Sequence, residues 1–217
     1  MIYWNTVSGL LKKTLLTLMQ SGILKQYRLA GGTALGLHLG HRMSEDVDLF
    51  TDAPYGSMVY PAIEKDLTDT FLYVAGDLGA DPAFGKSYLV GDDRDHVVKL
   101  DIYYSSEPFF DSPIEEDGLR MASVDEITAM KVDVVQRGGR KKDFWDLHEL
   151  MGRFSIIEMI ALHAKGFKWT HDEVLIKRNF TNFVQADEDF DPICLRGKQW
   201  AFIKEDFEHI ISRHDGA

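Results

Sequence analysis

Val7, Leu10, Leu11, Leu15 and Leu18 recur at three- and four-residue steps, the period of a helix with one buried face, and Gly22 ends the run. Tyr27, Leu29 and Ala30 predict a short strand. Gly31-Gly32 follows, and then Thr33 to Leu39 resumes helical spacing, with Thr33 as the expected N-cap. Asp46 to Phe50 alternates polar and apolar, the mark of a strand. Ile63 to Asp69 reads as helix and Phe71 to Ala75 as extended. Ser87 to Val90 and His96 to Tyr104 read as strands joined through Gly91-Asp92-Asp93-Arg94-Asp95, which is turn chemistry and predicts a hairpin. Beyond Pro113 the pattern turns helical. Ser123-x-x-Glu126, Ser155-x-x-Glu158 and Thr170-x-x-Glu173 each match the capping box ahead of an amphipathic run, and a last helix is expected around Trp200 to Ile211. The expected fold class is α+β: a mixed-sheet core flanked by helices over residues 1–120, followed by a helical C-terminal subdomain over 121–217.

Composition narrows the class. With 217 residues and 45% apolar side chains, the chain can bury an ordinary globular core. The single cysteine, Cys194, rules out an intramolecular disulfide and suits a reducing compartment. The first residues lack a charged stretch ahead of an apolar block, and no run approaches the ~20 apolar residues a bilayer requires, so a cytoplasmic protein with no membrane partner is expected. Lys and Arg number 24 against 35 Asp and Glu, a net charge of −11. That balance disfavours nonspecific polyanion binding, so no DNA partner is expected. A local basic patch at Arg137, Arg140, Lys141 and Lys142 remains available to an RNA backbone.

The chemistry concentrates in Gly31-Gly32-Thr33 and the strand that starts at Asp46. Residues two apart on a strand share a face, so Asp46 and Asp48 point together while Val47 and Leu49 enter the core. At an effective dielectric near 20, two carboxylates ~4 Å apart repel by about 4 kcal/mol, a cost that a divalent cation reverses. Mg²⁺ suits such a pair, because it is usually held by one or two carboxylates with substrate phosphates and water. Glycines let the backbone approach phosphates closely, the following helix start offers free amides and a positive dipole end, and Thr33 adds a hydroxyl. Each motif read alone fits a tight turn or a solvated surface strand; in this order they fit a phosphate and cation site. A third acid, Asp101, lies on a strand whose neighbours Leu100 and Ile102 face inward. If that strand pairs beside Asp46, the three carboxylates converge on a two-metal site, with ions ~3.5–4 Å apart.

Gly-Gly-Thr-Ala-Leu, His-Arg-x-Ser-x-Asp-x-Asp-Leu-Phe, Lys131, Arg137 and Lys142-Asp143-Phe144-Trp145-Asp146-Leu147 together resemble the nucleotidyltransferase toxins of the AbiEii/AbiGii type, within the polymerase-beta-like nucleotidyltransferases. The resemblance spans Leu29 to Leu150 and stops near Phe154. It implies that Gly31, Gly32 and Thr33 hold an NTP's triphosphate, that Asp46, Asp48 and Asp101 are catalytic and bind two Mg²⁺ ions, with Mn²⁺ as a substitute, and that Lys131 contacts the nucleotide. The later motif adds Lys142, Asp143 and Asp146. Asp143 and Asp146, three apart on a helix, either fix Lys131 or Arg42 or form a surface ion pair. Arg42 and Ser44, just before the acidic strand, either gate the nucleotide or cap the turn. The resemblance further implies transfer of a nucleoside monophosphate to an acceptor (tRNA or other RNA, or protein) and a toxin role opposed by a cognate antitoxin. A small-molecule nucleotidyltransferase and a catalytically silent nucleotide-binding protein are the alternatives.

Two other motifs point elsewhere. Ala80 to Ser87 matches a relaxed P-loop, but the residues after it read as strand instead of the helix a P-loop requires. His38-x-x-His41 lacks a third nitrogen or sulfur ligand at useful spacing, so packing or capping histidines are expected. The aromatics Phe144, Trp145, Phe167, Trp169, Phe180 and Phe183 are expected in a helical core.

Overall fold

A computed structural model describes residues 1–76, 78–79 and 84–215. In chain order the elements are α1 (Gly9–Gln20), β1 (Arg28–Leu29), α2 (Gly31–Leu39), β2 (Asp46–Thr51), α3 (Tyr60–Thr70), β3 (Tyr73–Gly76), β4 (Gly85–Gly91) and β5 (Val97–Tyr104). A short hairpin, β6 (Ile114–Glu116) and β7 (Leu119–Met121), leads into α4 (Val124–Gln136), α5 (Lys141–Leu150), α6 (Ile156–Gly166), α7 (Glu173–Asn179), α8 (Val184–Asp187) and α9 (Trp200–Asp215). The strands form one seven-stranded sheet in the order β3-β4-β5-β2-β1-β7-β6. β2 runs parallel to β5 and β1 parallel to β7, and the remaining pairs are antiparallel. The α+β expectation holds.

Strand alternation sets what the sheet buries. Val47 and Leu49 of β2, and Leu100 and Ile102 of β5, are inaccessible to solvent or nearly so. The residues between them, Asp46, Asp48 and Asp101, therefore stand on the opposite face of neighbouring strands. Leu11, Leu15 and Leu18 of α1 join the same core, as their spacing requires.

The helices mostly begin where their caps dictate. Ser123 Oγ accepts from Glu126 N at 3.1 Å while the Glu126 carboxylate accepts from Ser123 N at 3.3 Å, and Ser155 with Glu158 repeats the exchange. Thr170 caps nothing: α7 starts two residues later, where Asp172 accepts from Leu175 N at 2.9 Å. A carboxylate is the stronger acceptor for a helix-start amide, and it also sits favourably at the positive dipole end.

Two further expectations change. The stretch after Pro113 is not yet helical, because Asp117 (φ 50°) and Gly118 (φ 81°) turn the β6–β7 hairpin. Asp-Gly is the favoured pair for such a turn, but the flanking strands of three residues are too short to show alternation. Phe144, Trp145, Phe180 and Phe183 are core residues, and Phe144 packs edge-on against Phe183 and Phe207. Trp169, at 89% exposure, is outside that core, and Phe167 is only half-buried, stacked on His163 at 5.0 Å.

Candidate active site

β2 and β5 pair in the register that places Asp48 opposite Asp101, and Ser87 of β4 lies opposite Asp101 on its other side. The three acids thus share one face of two adjacent strands. Asp101 is held: Ser87 Oγ donates to it at 2.5 Å, and Lys99 Nζ does so at 2.5 Å. Among the described residues no donor bonds to the Asp48 carboxylate. Burial, then the neighbouring charges of Asp101 and Asp46, push its carboxyl up to about 6. Asp46 lies 3.7 Å from Lys142 Nζ.

The start of α2 faces this acid. Gly31 has φ +65°, and a Cβ there would collide with Asp48 Oδ2; a Cβ on Gly32 would collide with Arg42 Nη2. The missing side chains let a carboxylate approach the first glycine and a guanidinium the second. No side chain caps the N-terminus of α2, so its first amides keep their capacity to bind an anion. Gly31→Ala is therefore expected to lower the unfolding free energy by at least about 1–2 kcal/mol, the cost of a left-handed conformation for an L-residue, since the methyl also displaces Asp48. Urea unfolding checks this; unchanged stability would mean the close approach is not required.

Behind the acids lies a buried charge network. Asp146, at 0% exposure, accepts from Arg42 Nε at 2.6 Å and Nη2 at 2.8 Å, from Lys131 Nζ at 2.7 Å, and bonds His41 Nε2 at 2.8 Å. Burial alone would raise its carboxyl; Arg42 and Lys131 hold it well below the usual range. Lys131 also donates to Asp143 Oδ1 at 2.6 Å, and Asp143 in turn accepts from Arg140 N at 3.0 Å to cap α5. Burial disfavours the Lys131 ammonium, but Asp143 and Asp146 more than offset this and raise its pKa. His41 Nδ1 is buried without a partner.

The rim comes from residues 188–198. Met43 N donates to Ile193 O at 2.9 Å, and Leu195 N to His41 O at 2.8 Å. A cleft of about 190 Å³ lies between this segment and the start of β2, lined by Arg42, Ser44, Asp46, Lys142, Asp191 and Pro192 among others.

Comparison with known proteins settles the family. The model of the nucleotidyl transferase AbiEii toxin family, a type IV toxin–antitoxin system, matches residues 13–213. The chain belongs to the AbiEii nucleotidyltransferase toxin family. The match extends both ways past the stretch from Leu29 to Leu150 that carries the sequence motifs. An uncharacterized protein of Aquifex aeolicus, aq_aa25, is 26% identical over 204 residues, 89% of this chain and 90% of that protein. The fold is similar to that of a putative nucleotidyltransferase from Helicobacter pylori (TM-score 0.61, 15% identity, 94% of this chain and 90% of that one). It is also similar to an antigenic nucleotidyltransferase-like protein from Paracoccidioides brasiliensis (TM-score 0.52, 19% identity, 94% and 93%). No helix among the described residues is long and apolar enough to cross a membrane.

As an AbiEii-type nucleotidyltransferase the chain brings together most of the residues its motifs single out, with changes of detail. Thr33 is not the N-cap. Gly31 and Gly32 already belong to α2 and Ala30 caps it. The buried Thr33 hydroxyl donates to Asp46 O at 2.5 Å, which leaves Ser44 Oγ to donate to Thr33 at 2.7 Å. Both hydroxyls thus fix the start of β2 against α2. Of the two readings for Asp143 and Asp146, the internal one holds: they fix Lys131, and Asp146 also fixes Arg42.

The basic patch divides. Lys141 is buried and bound to Asp191 at 3.0 Å, and Arg137 pairs with Asp133; Lys142 lines the cleft at Asp46, and Arg140 lines a second cleft with it. Ala80 to Ala83 of the P-loop match lie outside the described residues. Gly85-Lys86-Ser87 open β4, where Lys86 pairs with Glu64 at 2.5 Å. His38 and His41 take separate partners, Ala122 O at 3.0 Å and Asp146. Sequence reasoning missed Ser87 and His41 as members of the site; the only signal for Ser87 was its place in the P-loop match.

Among the described residues no three His, Cys, Asp or Glu side chains already form a metal cage. The donor set nevertheless fits a hard divalent ion, since Mg²⁺ is usually bound by one or two carboxylates completed by substrate phosphates. Asp48, which no donor bonds among the described residues and which burial and the charges of Asp101 and Asp46 disfavour as a carboxylate, is the group such a cation would relieve.

Proposed function

We propose that this toxin transfers a nucleoside monophosphate from an NTP to an RNA acceptor with release of pyrophosphate. The observation that carries the reading is Asp48: with no donor bonded to it among the described residues, it stands in register beside Asp101 and against the glycine start of an uncapped helix. Asp46, Asp48 and Asp101 would hold Mg²⁺, which when bound neutralises the polyphosphate and acidifies the attacking hydroxyl. The first amides of α2 and its dipole would receive the triphosphate, and Arg42, locked on Asp146, adds a fixed positive charge beside Gly32. Asp101 would accept the proton of the acceptor hydroxyl as its oxygen bonds to the α-phosphorus. The bond from that phosphorus to the β-phosphate oxygen breaks, and pyrophosphate carries the charge away. Positioning and electrostatics suffice for this chemistry, so no covalent residue is required. Lys131 acts by position: held between Asp143 and Asp146, it neutralises the wall behind Asp48. Arg140 and Lys142 supply the local positive charge an RNA backbone needs on a chain of net charge −11.

The test is incubation of the purified protein with Mg²⁺, each α-labelled NTP in turn, and total RNA with protein extract. Label is expected in RNA for one or more nucleotides and is abolished by chelation. Label in protein or in a small molecule would overturn the RNA acceptor, and no label with any NTP would overturn the transfer itself.

A further inference from the structure

Phe190 is 98% exposed, yet it does not sit on a free loop. The residue before it, Asp189, accepts from Lys141 N at 3.0 Å, and the residue after it, Asp191, accepts from Lys141 Nζ at 3.0 Å. Lys141 is itself buried, with its ammonium 5.5 Å from the centre of the Trp200 ring. One lysine thus pins both neighbours of the phenylalanine and keeps the ring presented to solvent. Burying such a ring would be worth about 1.5–3 kcal/mol, which a planar ligand stacked on it would recover. The ring borders a cleft of about 210 Å³ lined by Arg140, Lys142, Asp189, Phe190 and Pro192. Lys142 and Pro192 also line the cleft that opens on Asp46, so the two clefts share that wall. Lys142 Nζ also lies 3.7 Å from Asp46, so this second cleft adjoins the acids.

We propose that this second cleft is a nucleotide subsite, in which the Phe190 ring stacks on a base while Arg140 and Lys142 hold the adjoining phosphate. An aromatic face beside cations is the arrangement by which proteins take single-stranded nucleotides without selecting the base. The proposal rests on the transfer reading above and extends it by assigning a binding surface to the segment between α8 and α9. The same chemistry serves two sources, the base of the NTP and the terminal nucleotide of the acceptor.

Three variants test it by binding, without turnover: Phe190→Ala, Phe190→Leu and Phe190→Trp. Affinity for an NTP is measured by calorimetry and affinity for a fluorescent single-stranded RNA oligonucleotide by anisotropy, with the melting temperature confirming each fold. Phe190→Ala and Phe190→Leu are expected to weaken one ligand by about tenfold, within the range for loss of one base–aromatic stack, while Phe190→Trp binds at least as well as the parent. Loss in the calorimetric arm assigns the subsite to the NTP base, and loss in the anisotropy arm assigns it to the acceptor end. Unchanged binding in both arms, full affinity with leucine, or no measurable binding of either ligand by the parent protein overturns the proposal. If binding depends on Phe190 but no label is transferred, the transfer reading fails and the subsite stands. If transfer proceeds independently of Phe190, the subsite alone fails.

Discussion

Asp48→Asn is expected to abolish transfer and, at the same time, to stabilise the protein measured without metal. The carboxyl is pushed up from 3.8 to about 6, so the folded state binds its proton more tightly than the unfolded chain does. Folding stability then falls as pH rises from about 4 to about 6 and stays reduced above that. The amide removes the penalty, with a gain of about 1–3 kcal/mol at neutral pH and none near pH 3. Added Mg²⁺ should raise the melting temperature of the parent and leave that of the variant nearly unchanged. Transfer should drop by about a thousandfold or more, because a metal site supplies several kcal/mol of transition-state stabilisation. A variant that turns over like the parent, or that is less stable than it above pH 6, would exclude Asp48 as the unrelieved acid of this site.

Asp146→Ala should be strongly destabilising. It leaves the buried charges of Arg42 and Lys131 without their shared counterion, and breaking a buried pair from one side costs about 3–5 kcal/mol. Removing the cation as well, in Arg42→Met with Asp146→Leu, should cost less than the two single changes summed, since neither leaves the other stranded. The acid's lowered pKa fixes the pH dependence. Its contribution is complete above about pH 4, the unfolded value, and is lost as pH falls through the lower folded value. Acid unfolding of the parent should therefore be steeper than that of Asp146→Asn. Guanidinium titrations over that range check both statements, and additive effects in the double variant would break the proposed network.

Much of the fold was legible because it rests on local signals. The alternation of Asp46 to Phe50 and of His96 to Tyr104 set the strands and which of their side chains face the core, and Ser123 and Ser155 marked two helix starts to the residue. What joins these pieces was not local. Parallel pairing of β2 with β5, which brings Asp48 opposite Asp101, depends on where α3, β3 and β4 are accommodated, and no periodicity encodes that. The same limit applies to charges. Lys141 and Lys142 are adjacent in sequence, yet Lys141 is buried against Asp191 while Lys142 faces the mouth, because successive helix positions point about 100° apart. Thr33 carries the right chemistry in the wrong place: its hydroxyl is a donor, but the main-chain carbonyl of Asp46 accepts that hydrogen bond. Phe190 gave no signal at all, since exposure arises from what the rest of the chain fails to cover.

The tie between the two ends of the molecule bears on when the enzyme becomes complete. Arg196 donates to Gly40 O and Leu39 O, residues 156 and 157 positions earlier, beside the bonds that hold residues 41 and 43. During synthesis the acids and the glycine bend leave the ribosome long before this closing piece exists. The rim can therefore close only once nearly the whole chain has been made. A chain ending after α8 would hold Asp46, Asp48 and Asp101 and yet lack both the rim and α9, whose Ile203 and Phe207 belong to the core.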